Sequence, residues 1–207
     1  MEDQWLAWAK RLHALASTGL HFGADKFDLE RYEEMAGIST AMLSALGGVK
    51  PADLTAAFPD LGDGYATPKI DVRGAFIENG KILLVQESRD GLWTLPGGYA
   101  DIGLSPAENV AKEVWEEAHV RVRAHRLYAL LHKAKHPYDQ GVHDFYKFFF
   151  LCTREAPGDP RPGLETTEVG FFAPNAIPPL SSNRTLMQDI DAAYAAHADP
   201  DRPAIFD

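Results

Sequence analysis

Apolar residues in the first 58 positions fall at helical spacing. Trp5, Trp8, Leu12 and Leu15 form one stripe, with Leu6 and Ala9 beside it, which predicts a first helix stopped by Thr18-Gly19. A second helix is predicted from around Asp25–Asp28 through Leu29, Tyr32 and Met35, with Gly37 as its C-cap. A third covers Ser39 to Leu46 and is closed by Gly47-Gly48, and Asp53 to Phe58 adds a short turn. Phe58 to Gly64 is rich in Pro, Gly and Asp and reads as a linker. After it the period falls to two. Lys69 to Ile77 and Lys81 to Gln86 flank Glu78-Asn79-Gly80, a strong hairpin signal. His125 to Leu131, the aromatic run Asp144 to Cys152, and Glu168 to Ala173 are further strands. Asn183 to Ala196 reads as a last helix capped by Asn183, and Pro200 to Asp207 as a tail. The pattern predicts two domains, residues 1–66 all-helical and residues 67–207 of class α+β. Strands and helices without strict βαβ alternation favour a mixed sheet in the second domain, as α+β or as an α/β/α sandwich.

Composition narrows the class. The chain has 207 residues, 45% hydrophobic and 24% charged, which is ordinary for a globular protein. No apolar run approaches the roughly 20 residues that span a bilayer. The start, Met1-Glu2-Asp3, has neither a basic nor an apolar leader region, and the sole cysteine, Cys152, offers no disulfide framework. A reducing cytoplasm is the natural expectation. The formal net charge is −10, shared equally by the two predicted domains. That balance argues against tight sequence-independent DNA binding, and a phosphate-ester substrate would call for a divalent cation to offset repulsion.

The informative segment is Leu95 to Val120. Two adjacent glycines, Gly97 and Gly98, precede Ser105-Pro106-Ala107-Glu108, which combines an N-cap, a proline at N1 and a glutamate at N3. The helix this starts runs from Pro106 to Ala118. At 100° per residue, Ala107, Val110, Ala111, Val114 and Ala118 share one side, and Glu113, Glu116 and Glu117 the other. Like charges at that spacing repel. Such an edge is either a solvated acidic face or a set of hard oxygen donors for a cation.

Gly98 to Val120 resembles the Nudix box, G-x5-E-x7-R-E-U-x-E-E-x-G-U, where U is aliphatic. Gly98, Glu113, Val114, Glu116, Glu117 and Val120 match. Leu104 stands where the pattern has glutamate, Lys112 where it has arginine and His119 where it has glycine. The resemblance implies the Nudix α/β/α sandwich with a mixed sheet and metal-assisted hydrolysis of a pyrophosphate bond. Two or more Mg²⁺ or Mn²⁺ ions would bind Glu116 and Glu117, with Glu113 and the carbonyl of Gly97 or Gly98. A box glutamate, or Glu165 or Glu168 from a later loop, would take the proton of water. The paired loss of the first glutamate and the arginine removes a brace as a unit, and His119 costs about 1 kcal/mol if its backbone needs positive φ.

The whole layout is similar to two-domain Nudix hydrolases that include CDP-choline pyrophosphatases. Leu95 to Gly103, His132 to Pro137, Phe148 to Cys152 and Glu165 to Val169 carry that likeness. It implies CDP-choline as substrate, with ADP-ribose as the alternative, and a homodimer formed through the helical segment. A triphosphate-sanitising or RNA-end hydrolase and a non-catalytic ligand sensor stand behind these. His132, Lys133, Lys135 and His136 form the densest basic cluster and are either phosphate contacts or a basic turn. Arg73 is a second candidate phosphate contact, or else a strand-end surface charge. Trp5, Trp8 and Tyr32 either stack on a base or choline, or serve the core or a dimer interface. Pro137 and Tyr138 sit where single residues mark different Nudix substrates, and having both makes the marker uninformative.

Overall fold

A computed structural model describes residues 2–48, 50, 53–54, 58 and 63–207. The chain divides into two compact units, Met1–Lys69 with Gln140–Asp144, and Ile70–Asp139 with Phe145–Asp207.

The first unit is built on two long helices, α1 (Gln4–Phe22) and α2 (Lys26–Gly47). Each starts on an aspartate whose carboxylate accepts from the first free backbone N–H groups. Asp3 takes Trp5 and Leu6, and Asp25 takes Phe27 and Asp28. Two predicted stops are absent. α1 runs through Thr18-Gly19 to a cap at Gly23, and α2 runs through Gly37 without a break. Gly19 has a packing reason to be glycine, since a Cβ there would lie 2.5 Å from the Tyr32 ring. The predicted stripe is also rotated. Leu6, Ala9, His13 and Ala16 are buried, while Trp5 and Trp8 are 59% and 47% exposed and meet edge to face. Small residues allow close helix approach, which leaves the larger tryptophans outside. Leu6, Ala9, Leu43, Leu54 and Val142 form the core of this unit. The predicted turn at Asp53–Phe58 lies partly, and the linker mostly, outside the described residues.

The second unit holds one mixed sheet of eight strands. These are β1 (Lys69–Glu78), β2 (Lys81–Glu87), β3 (Trp93–Thr94), β4 (Gly97–Tyr99), β5 (Val122–His132), β6 (Phe145–Arg154), β7 (Thr166–Phe172) and β8 (Ile205–Phe206). The order is β3-β2-β1-β6-β5-β8, with β4 paired to β1 and β7 to β2. The β1–β2 hairpin turns at Asn79 and Gly80, both at positive φ, as Asn-Gly predicts. The final strand departs from the sequence expectation. Ile205 and Phe206 lie parallel to Ala129 and Leu130, so part of the predicted tail is an edge strand.

Helices α3 (Pro106–Ala118) and α4 (Met187–Ala198) cover the two faces. Alternation along the central strands decides which residue meets which helix. Val72, Phe76, Leu83 and Val85 pack with Val110, Val114 and Ala118 of α3. Ala75, Ile77, Ile82 and Leu84 pack with Ile190, Ala193 and Ala196 of α4. This is the α/β/α sandwich. Gly74 lets α3 settle on β1, because a Cβ there would approach Val114 and Val110 to 2.8 and 2.9 Å. α4 begins later than predicted. Asn183 is not its cap, and Asp189 closes the first turn by accepting from the Leu186 N–H. No described helix is long and apolar enough to cross a membrane.

Candidate active site

The site is assembled where β4 hands over to α3. Gly97 has φ 149°, and a Cβ on it would lie 2.0 Å from the Val72 carbonyl oxygen, so only glycine fits that strand pairing. Its N–H donates to the Glu117 carboxylate at 3.0 Å. Gly98 is bare for a related reason, since a Cβ there would lie 3.1 Å from both Glu113 oxygens. The double glycine thus lets two carboxylates from α3 lie directly against backbone.

α3 is held at both ends. Ser105 Oγ accepts from the Glu108 N–H, and the Glu108 carboxylate accepts from the Ser105 N–H at 2.8 Å. Asn109 is fully buried and staples the preceding loop, accepting from Asp101 N–H and donating toward the Asp101, Leu104 and Ser105 carbonyls. At the C-terminal end His119 has φ 53° and ψ 30°, the left-handed conformation that the pattern's glycine would take. The segment after β6 finishes the cap. Arg161 N–H donates to the Ala118 carbonyl, Gly163 N–H to the Glu117 carbonyl, and Thr166 Oγ1 to the same Glu117 carbonyl. Gly163 is pressed so close that a Cβ would lie 1.7 Å from the Glu116 carbonyl oxygen.

The three box glutamates have different surroundings. Glu117 is buried, and burial raises its pKa to about 8 against the pull of Arg73 and the Gly97 N–H, with Glu113 and Glu87 adding to the rise. Burial also raises Glu113, opposed by Lys112 and Arg73. Glu116 is exposed and accepts from Lys112 at 2.7 Å. Lys112 reaches Asp101 as well, at 3.2 Å. The arginine-to-lysine departure is therefore not a lost brace. The cation remains and pairs with Asp101 and Glu116.

Arg73 is neither exposed nor at a strand end. It is 3% exposed, with its Nε and one terminal nitrogen on the two Asp71 oxygens at 2.9 and 2.7 Å, and its other nitrogen toward the Leu95 carbonyl. Its donors are committed within the protein, so it supports the site from below. Lys147 completes this group, 1% exposed and donating to Asp71 at 2.7 Å. Burial pushes the Lys147 ammonium down to about 8 despite Asp71.

The remaining candidates are spread out. Glu165 is exposed, its carbonyl accepts from the Ser88 N–H, and its charge helps to raise buried Glu87. Glu168 is exposed on β7 opposite Gln86. In the basic cluster, Lys133 donates to Asn183, the His132 N–H and the His136 ring meet Asp207, and Lys135 is exposed. Those contacts run to the C-terminal end of the chain and the approach to α4. Tyr32 belongs to the first unit, where its ring packs on Gly19. The structure thus brings together Gly97, Gly98, Glu113, Glu117 and Arg73. Sequence reasoning missed Asp71, Glu87, Asn109 and Lys147. The signals were there for two of them, an Asp-x-Arg pair in an apolar strand and a lone lysine in an aromatic one.

These donors fit a divalent cation. They are all carboxylate and backbone oxygens, the set that hard ions prefer. Burial holds Glu113 and Glu117 above their ordinary range despite the nearby charge of Arg73, so a cation bound directly to them would meet a need that Arg73 leaves unmet. Among the described residues, no three His, Cys, Asp or Glu side chains converge to cage an ion. Mg²⁺ is ordinarily held by one or two carboxylates, with waters and substrate phosphates completing its shell.

Comparison with known proteins assigns the family. Residues 68–193 match the NUDIX domain family, and residues 3–58 match a family described as a UDP-X-like, N-terminal oligomerisation domain. A Bacillus subtilis protein named "Putative ADP-ribose pyrophosphatase YjhB" is 39% identical over 207 residues, which is 100% of this chain and 99% of that protein. The crystal structure of an ADP-ribose pyrophosphatase from Streptococcus suis is 39% identical with TM-score 0.62, covering 68% of this chain and all of that one. The crystal structure of a UDP-X diphosphatase is 30% identical with TM-score 0.63 and covers 98% of both chains. The chain belongs to the Nudix family, in the two-domain group with a helical N-terminal domain, and is a pyrophosphohydrolase.

Proposed function

We propose that the protein cleaves the pyrophosphate of a nucleoside diphosphate linked to a sugar, with ADP-ribose as the leading substrate and AMP and ribose 5-phosphate as products. The observation that carries the reaction is the buried Glu117 carboxylate on the Gly97 N–H, beside Glu113 on Gly98. Two relatives named for ADP-ribose, one matching along the full chain, support the substrate over CDP-choline, which the sequence placed first. The likeness to a UDP-X diphosphatase over 98% of the chain supports tolerance toward other bases, so CDP-choline stays as the second reading.

Glu113 and Glu117 would hold Mg²⁺ or Mn²⁺, with Glu116 joining them on release from Lys112 and a Gly97 or Gly98 carbonyl contributing. We expect two or more ions. When bound, such ions neutralise phosphate oxygens and acidify water for in-line attack. Arg73, fixed by Asp71, keeps positive charge beneath Glu117 and limits its rise in pKa. Water attacks one phosphorus, its proton passes to a carboxylate, and the other phosphate leaves. Glu165 is the candidate acceptor outside the box, carried on the segment that binds the Glu117 carbonyl through Gly163 and Thr166. Lys133, Lys135 and His132 are candidate contacts for the distal part of the substrate. The exposed Trp5 and Trp8 support a homodimer formed through the helical unit. Cys152 is a buried free thiol, which supports a reducing, cytoplasmic setting.

The test is a substrate panel with Mg²⁺ and with Mn²⁺, scored for nucleoside monophosphate. ADP-ribose is expected to give kcat/KM at least tenfold above CDP-choline and above nucleoside triphosphates. Preference for a triphosphate, with pyrophosphate as product, would reject the reading.

A further inference from the structure

A second cluster of chemistry lies at the far end of α3, outside the site just described. A cleft of about 420 Å³ is lined there by Trp115, His119, Arg121, Arg154, Asp159 and Arg161, with Gly97, Gly98, Glu113 and Glu117 absent from its walls. That volume falls in the range of small-molecule sites. The charge is the unusual part. The protein carries a net −10, yet three guanidinium groups border one cleft against a single carboxylate of its own, Asp159.

The three arginines are not equivalent. Arg154 is already neutralised, gripping both Glu78 oxygens at 2.8 and 2.9 Å and donating to the Gly158 carbonyl. Arg121 lies 4.7 Å over the Trp115 ring, a cation–π contact that orients its planar fork and leaves its N–H donors without a carboxylate partner among the described residues. Arg161 is fixed through its backbone, its N–H on the Ala118 carbonyl and its carbonyl 3.2 Å from the His119 ring. Its side chain is exposed and forms no ion pair among the described residues. Trp115 is 39% exposed and also meets the His119 ring, at 5.3 Å. The oriented Arg121 fork and the unpaired Arg161 guanidinium suit the oxygens of a phosphoryl group, and the part-exposed Trp115 indole beside them reports on its arrival.

We propose that this cleft is a second anion site, binding a phosphoryl-bearing ligand between Arg121 and Arg161 beside Trp115. The ligand is either inorganic phosphate or the phosphate of a nucleoside monophosphate, and the two are separated by experiment. This inference stands apart from the reaction assigned above, since the Trp115, Arg121 and Arg161 side chains take no part in it and Arg161 reaches that site only through its backbone cap on Ala118. It does have a route to that reaction, because the segment carrying Arg161 continues to Gly163, which donates to the Glu117 carbonyl.

The test follows the Trp115 indole N–H resonance, assigned with Trp115→Phe, while inorganic phosphate or AMP is added at constant ionic strength with chloride as control. A saturable shift with a millimolar or tighter midpoint is expected. It should weaken at least tenfold in the Arg121→Ser/Arg161→Ser double variant, whose hydrolysis without added ligand should stay within about twofold of wild type. AMP binding at least tenfold tighter than phosphate identifies a nucleotide, and equal affinities identify the phosphate alone. No saturable shift with either ligand, or an identical titration in the double variant, overturns the proposal. Hydrolysis can persist through that outcome, so failure here is distinguishable from failure of the proposed reaction.

Discussion

Glu117→Gln is expected to lower kcat/KM for ADP-ribose by about 10³-fold or more, with the fold retained. A loss of that size is about 4 kcal/mol of transition-state stabilisation. The amide oxygen can still accept from the Gly97 N–H, so the β4–α3 junction should hold. Burial already disfavours the charged carboxylate, so an uncharged isostere costs the fold little. What disappears is a hard anionic donor. Glu116→Gln should do much less, since that side chain is exposed and engaged by Lys112. Steady-state kinetics, with circular dichroism as the folding control, checks both. A Glu117→Gln variant within tenfold of wild type would remove Glu117 from the chemistry.

The largest effect on stability is expected from Asp71→Asn, at about 3–5 kcal/mol. Asp71 is 6% exposed and is shared by two buried cations, Arg73 at 2.7 Å and Lys147 at 2.7 Å. Removing its charge leaves both without their counter-ion, a third or more of the whole stability of many domains. Acid should imitate the substitution. Burial alone would raise the Asp71 pKa, but Arg73 and then Lys147 reverse this and hold it at about 2, below its ordinary 3.8. The folded state therefore binds the proton less readily than the unfolded chain. The stabilisation is present above about pH 4 and is lost as pH falls toward 2. Urea unfolding across pH 2 to 7 reads both effects, with the wild-type slope between 4 and 2 flattened in the variant. A loss below 1 kcal/mol at pH 7 would show that the group contributes no such stabilisation.

Much of the fold was legible because its signals are local. Asn79-Gly80 dictates a hairpin, and Ser105-Pro106 with Glu108 dictates the start of α3, which begins and ends where its sequence says. Errors arose where long-range packing overrode local propensity. Gly19 and Gly37 read as stops, yet the helices pass through them, and at Gly19 the Tyr32 ring takes the space a side chain would need. Helical spacing left Trp5 and Trp8 as core, dimer interface or ligand contacts, and the burial of Leu6, Ala9 and Ala16 in their stead rules out the core. The parallel pairing of Ile205 and Phe206 with Ala129 and Leu130 joins residues far apart in the chain, and no local pattern announces it. In the site, spacing put Glu113, Glu116 and Glu117 on one helical edge, but it could not show that Lys112 draws Glu116 aside. Nor could it show that Arg73 is consumed by Asp71, because that bond depends on the interior being dry around both.

The most direct test of the central claim is Mn²⁺ binding to the whole protein, followed through the electron paramagnetic resonance signal of the free ion. Wild-type protein is expected to take up Mn²⁺, and Glu113→Gln and Glu117→Gln are each expected to weaken that uptake at least tenfold, in step with lost hydrolysis. Unchanged Mn²⁺ affinity in both variants would contradict the account, since the carboxylates lying against Gly97 and Gly98 would then not be the ones that hold the ion.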